Sequence, residues 1–157
     1  MPTTLTLPQF TLETGTTLRD VPVAYRTWGT LNAAGTNAVL VSHALTADTN
    51  VDDWWGRLLG PGRALDPTED FVVCLNVPGS PYGSASPVTT NPETGTRYGP
   101  DFPAFTIRDT VRQSDKATLQ TERSDPAASS SSAPRTAAPS WSRKAPPATK
   151  PSTRPRS

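Results

Sequence analysis

"AVLVSHALTADTNVDDWWGRLLGPGRALDPTEDFVVCLNV" (Ala38–Val77) decides the fold. Two short, continuously apolar runs bracket it, Ala38–Val41 and Phe71–Leu75. A strand that faces water on one side alternates apolar and polar residues, whereas one buried on both faces reads as an unbroken apolar run. Between the runs lie a possible helical turn at Trp54–Leu59 and the breaker Gly60-Pro61-Gly62. Strand, crossover and strand make half of an α/β unit. A parallel sheet needs more strands and covering helices than these residues supply, so the stretch reads as the front portion of a larger α/β domain.

Upstream, "QFTLETGTTLRDVPVAYRTWG" (Gln9–Gly29) alternates around Thr14-Gly15, which predicts two or three short antiparallel strands joined by tight turns. Downstream, Pro78–Pro103 is dense in Pro, Gly, Ser and Thr. A loop this long inside a domain is functional or unstructured, and its aromatics and Tyr-Gly steps favour an ordered, packed excursion. "FTIRDTVRQ" then opens like a helix, with Thr106 as N-cap, Asp109 at N3, and Ile107, Thr110 and Val111 on one side. The helical pattern fails directly afterwards.

Composition changes at that point. Residues 114–157 contain Leu119 and Trp141 as their only large apolar side chains, with seven prolines and no glycine. They carry eight Lys/Arg against three Asp/Glu, and residues 1–113 carry seven against eleven, so the overall +1 joins an acidic body to a basic tail. Such a tail does not bury enough apolar area to offset roughly 1–2 kcal/mol of backbone ordering per residue. It is expected to be disordered, giving a division into a folded portion, 1–113, and a basic Ser/Pro/Ala-rich tail, 114–157.

The N-terminus has neither the basic nor the apolar region of a secretory signal, and no apolar run approaches a membrane span. Cys74 is the single cysteine, so no internal disulfide forms. These features agree with a cytoplasmic location. One His and one Cys do not make a zinc site, and Asp48–Asp53 lacks the closing Glu of a calcium loop, so no bound metal or cofactor is expected. Cys74, within an apolar run, reads as an inert core thiol. Acyl transfer needs an activated nucleophile, a base, an orienting acid and oxyanion donors. No G-x-S-x-G elbow occurs: "GSPYG" (Gly79–Gly83) misplaces its serine and "GSASP" (Gly83–Pro87) lacks the closing glycine. His43, the only histidine, follows a buried strand and reads as a positioning residue. No catalytic side chain is assigned.

The stretches "AVLVSHALTADTNVDDWWGRLLGPGRALD", "NVPGSPYGSASPVTTNPETGTRYGPDFP" and "TIRDTVR" resemble the homoserine O-acetyltransferases, most closely in the fungal wording "GSPYGSASP". The resemblance runs from about Phe10 to Arg112. It implies an α/β-hydrolase fold, here incomplete and holding the N-terminal strands of the sheet. It also implies the family's chemistry, a double displacement in methionine biosynthesis. A serine takes acetyl from the co-substrate acetyl-CoA, and the hydroxyl of homoserine then takes it from the enzyme. Acetyl-CoA and homoserine are thus the implied small-molecule partners, with no specific nucleic acid and no membrane.

The resemblance further implies that the loop after "SHAL" supplies a backbone N–H to the oxyanion hole, in this sequence that of Leu45, with His43 shaping the turn. Trp54-Trp55 would pack near the site or in the core. The family's serine lies in a G-G-S-M-G-G elbow downstream of "TIRD", with its Asp and His further on. After Arg112 nothing matches, so this polypeptide is expected to be inactive by itself, with a tail that reads as a shifted frame or a retained intron. The alternatives are a serine or cephalosporin-type acceptor, and a non-catalytic protein whose basic tail binds acidic partners.

Overall fold

The structure, a computed structural model, describes residues 2–44 and 46–124, the last three by backbone alone. Four strands form one mixed sheet: β1 (Thr3–Thr11), β2 (Thr17–Trp28), β3 (Ala38–Val41) and β4 (Phe71–Leu75), in the order β1-β2-β4-β3. β1 and β2 are antiparallel, from Thr3 opposite Tyr25 to Thr11 opposite Thr17. β2 and β4 are antiparallel, whereas β3 and β4 run parallel with Val41 beside Cys74. The two unbroken apolar runs therefore pair as the parallel strands their pattern predicts.

The first segment is one long hairpin, where the alternation suggested two or three shorter strands. β1 begins at Thr3, and a single turn closes the pair. The Leu12 N–H donates to Thr16 O (2.8 Å) and the Gly15 N–H to Leu12 O (2.9 Å). Gly15 adopts φ +87° there, a region open to glycine. Proline in the middle of a ladder removes a donor. Pro8 is tolerated because β1 is an edge strand, and it faces Asp20, whose φ is +49°.

β4 is buried at all five positions and separates two apolar clusters. Phe71, Val73 and Leu75 pack with Leu7, Phe10, Leu18, Val21, Val23 and Leu31. On the other face Val72 and Cys74 pack with Val41, Val51, Trp28 and Trp54. Between β3 and β4 the chain makes one short helix, α1 (Val51–Trp54). Gly29 leaves β2 at φ +80°, and a β-carbon there would meet the carbonyl oxygens of Asp70 and Pro67.

Residues 78–103 are an ordered excursion held by their own hydrogen bonds. The Ala85 N–H donates to Pro22 O (2.8 Å), Asn91 to Thr96 O (2.7 Å) and Tyr98 to Thr89 O (3.0 Å). Its end delivers an aromatic stack: Tyr98 meets Phe102 edge-on, and Phe102, Phe105 and Phe10 stack in turn with centroids 5.5 and 6.2 Å apart.

α2 (Ile107–Ser124) starts where the sequence places it. The Asp109 N–H donates to Thr106 Oγ1 (3.1 Å) and the Thr106 N–H returns to Asp109 Oδ2 (3.2 Å), a capping box. Asp109, fully buried, also accepts the Glu13 N–H (2.9 Å), which locks the hairpin turn to the helix. Arg108 pairs with Glu13 across the same junction.

The division at residue 113 needs correction. The helix runs on to Ser124 and takes in residues 114–124 of the expected tail. That stretch has no Pro or Gly and is rich in helix formers. Its inward face is polar and small (Asp109, Gln113, Ala117, Thr121), which hides it from an apolar-periodicity reading. Ile107 and Val111, expected to share a side, do so, but that side is turned outward. The remaining tail, 125–157, lies outside the described residues.

Candidate functional site

In an open sheet with parallel strands, ligands bind outside the carboxyl ends of those strands. Here β3 and β4 end together. The register that sets Val41 beside Cys74 brings the next two residues of each strand, Ser42-His43 and Leu75-Asn76, to one end of the sheet.

His43 is 8% exposed. Its Nδ1 lies 2.8 Å from the Ala44 carbonyl oxygen. A carbonyl only accepts, so Nδ1 carries the proton and Nε2 is left with a lone pair. That Nε2 is buried and has no partner among the described residues. A triad base is oriented the opposite way, with a carboxylate at Nδ1 and the nucleophile at Nε2. The imidazole instead braces the turn that follows: the same Ala44 carbonyl accepts the Ala47 N–H at 2.9 Å. Leu45, the expected oxyanion donor, lies outside the described residues.

The loop after this turn is tied to β2. Asp48 accepts the Asn50 N–H and Nδ2–H, both at 2.8 Å. Arg26 donates to Asn50 Oδ1 (2.7 Å) and to both oxygens of Asp52 (2.9 and 3.2 Å). The carboxylates of Asp48–Asp53 thus accept from neighbouring N–H groups. Among the described residues no three of His, Cys, Asp and Glu are grouped as metal ligands. Trp54 is half-buried and its indole N–H donates to Asp48 O (3.2 Å). Trp55, 44% exposed, meets it at 4.9 Å between centroids.

Three serines surround the end of β4. Ser84 Oγ donates to Asn76 O (2.7 Å) and accepts the Ala24 N–H (3.0 Å), so it serves as a buried staple. Ser80 Oγ is buried without a partner, as is Asn76 Oδ1, while Asn76 Nδ2 donates to Tyr82 O. Cys74 is fully buried, and burial, helped by the nearby Asp48 charge, pushes its thiol up to about 12. Among the described residues no hydroxyl or thiol hydrogen-bonds to the imidazole, so none is an activated nucleophile by geometry. The sequence reading missed the Asn76–Ser84 staple and the Arg26 network. Their signal, polar residues after an apolar run, is common to most strand ends.

No protein-family model matches the chain. Individual proteins do. The homoserine O-acetyltransferase of Salinibacter ruber is 82% identical over 112 residues, which are 71% of this chain and 32% of that protein. The enzyme of the same name from Schizosaccharomyces pombe is 63% identical over 105 residues, 67% of this chain and 22% of its own length. The matched region belongs to the homoserine O-acetyltransferase family. Among solved structures, the homoserine O-acetyltransferase of Bacillus anthracis superposes with a TM-score of 0.67 at 31% identity, covering 77% of this chain and 36% of that one. Esterase E22 superposes equally well, with a TM-score of 0.67 at 30% identity. The sheet is accordingly part of an α/β-hydrolase fold. The chain spans about a third or less of the length of the curated homoserine O-acetyltransferases it matches. No helix among the described residues is long and apolar enough to cross a membrane.

Proposed function

We propose that this chain carries the oxyanion-side scaffold of an O-acetyltransferase that moves acetyl from acetyl-CoA to the hydroxyl of homoserine. It acts in the cytoplasm and needs no bound metal or cofactor. The 82% identity to the Salinibacter enzyme over 112 residues carries this reading. The braced turn after β3 supports it physically. A main-chain N–H held at the end of a buried strand has no rotamer freedom to lose as charge develops on the acyl oxygen. In comparable sites one such donor is worth about 3–4 kcal/mol of transition-state stabilisation. Leu45 supplies that N–H, and His43 holds the carbonyl that precedes it.

The 157-residue polypeptide alone turns over nothing, since the described residues offer no activated nucleophile. A second reading, ester hydrolysis, draws on the equal superposition with esterase E22. One chimera separates the two. The 112 matched residues would replace their counterpart in the Salinibacter enzyme, with CoA release followed in the presence and absence of homoserine. Homoserine-dependent release supports acetyl transfer. Ester hydrolysis without homoserine-dependent CoA release supports the esterase reading and refutes ours.

A further inference from the structure

β3 is the terminal strand of the sheet and pairs on one side only. Its other edge opens on a groove of about 480 Å³, lined by Ala38, Val39 and Leu40 from the strand and by Val111, Ser114 and Asp115 from α2. The helix presents this side inside out. Ile107 is 85% exposed and Val111 50%, while Asp109, Gln113 and Thr121 are buried on the sheet side. Leu119 continues the outward stripe two turns after Val111. Asp115 Oδ1, on the same stripe, is buried with no partner among the described residues. An apolar parallel strand with one bare edge is unusual, because parallel sheets are covered on both faces and paired along their length.

We propose that this edge and groove form a docking surface for one occupant: polypeptide equivalent to the part of a homoserine O-acetyltransferase that lies outside the match. That occupant lays an extended apolar strand along β3 and offers a hydrogen-bond donor to Asp115. The inference rests on the family reading, and three observations select the occupant. The relatives that match so closely are roughly three times longer than the matched region, so in them a large piece of chain is available to cover this face. The strand must come from such a piece, because residues 125–157 contain no Val, Ile, Leu, Phe or Tyr and hold seven prolines, each lacking a ladder donor. A second copy of this chain would bring a second Asp115 and Asp70 to the groove, like charges with no cation among the groove-lining residues to meet them.

The test co-expresses the full 157-residue chain, tagged, with the non-matching remainder of the Salinibacter enzyme as a separate, untagged polypeptide. Copurification, light scattering and hydrogen exchange read the complex without reference to activity. The expected result is a 1:1 complex in which the β3 amides become protected. Ile107→Lys and Val111→Lys should each weaken it by roughly tenfold or more, since a lysine would be buried on the apolar seat. Val88→Lys, at an exposed apolar residue outside the groove, should not. Both α2 positions are exposed in the chain alone, so matching urea melts would show that folding is intact. Recovery of the two chains apart, a complex indifferent to both substitutions, or a homodimer through β3 that excludes the remainder would each overturn the proposal. A complex that forms but fails to release CoA with homoserine would refute the functional reading and leave the docking surface standing.

Discussion

Asp109 is the residue whose removal should hurt the fold most for its size. It is fully buried, yet it is a carboxylate. It accepts the Glu13 N–H at 2.9 Å, the Thr106 N–H at 3.2 Å and the Thr106 hydroxyl at 3.1 Å, and Arg112 lies 3.5 Å away. Burial alone would raise its pKa. The hydrogen bonds from Thr106 and Glu13, with the Arg112 charge, outweigh burial and hold it below the usual carboxylate value. Asp109→Ala removes half of a capping box, at about 1 kcal/mol. It also strands the buried Glu13 donor, at about 1–3 kcal/mol. The total, about 2–4 kcal/mol, is a large share of the roughly 5–15 kcal/mol typical of a domain. Asp109→Asn keeps one acceptor and should lose about half as much.

Urea denaturation followed by far-UV circular dichroism measures the loss. The pH dependence supplies an independent sign. A carboxyl whose folded pKa is lowered contributes stability that is complete above its unfolded value of about 3.9 and disappears as pH falls through the folded value. The acid-side loss of stability should therefore be shallower in Asp109→Ala than in the parent. A loss below about 0.5 kcal/mol at neutral pH, the size of an ordinary surface substitution, would refute the assignment of Asp109 as the link between hairpin and helix.

Other outcomes follow from the same geometry. Cys74, with its thiol pushed up to about 12 by burial, should resist alkylation at pH 8 in the folded chain and react at the ordinary rate in urea; fast labelling of folded protein would show that β4 is open. Gly29→Ala should be poorly tolerated, because its β-carbon meets two backbone carbonyls at φ +80°, and an unchanged melting temperature would contradict the described turn. Asp115 has its pKa raised by burial, so its charge opposes folding above the folded pKa and this cost fades as pH falls; Asp115→Asn should raise stability at pH 7 and lose that advantage near pH 4. In the chimera, Leu45→Pro deletes the proposed oxyanion N–H and should cut kcat by roughly 10²–10³ while leaving KM little changed; a fall in KM affinity alone would move Leu45 out of the transition state.

The parallel pair was legible because β3 and β4 are apolar without interruption, a pattern that only burial on both faces explains. The start of α2 was legible because Thr106 and Asp109 stand at capping-box spacing. Its end was not, because the buried face of the helix is Asp109, Gln113, Ala117 and Thr121, so apolar periodicity points to its outer side. The single long hairpin escaped notice for a related reason: Pro8 and Pro22 read as strand breaks, and only the edge position of β1 excuses the first. At the candidate site, the isolation of His43 from any hydroxyl or thiol depends on three-dimensional neighbours that no spacing encodes. The groove beside β3 was invisible to sequence because it is a property of what does not pair.

The central claim is that this chain holds the scaffold that polarises an acyl oxygen without the group that attacks it. The most direct measurement is intact-protein mass spectrometry after incubation of the native 157-residue chain with acetyl-CoA, with a urea-treated sample as control. The account predicts no added acetyl group in either sample beyond the background of slow, scattered lysine modification. A stoichiometric acetyl ester on one serine, formed in the native sample and absent from the denatured one, would contradict it.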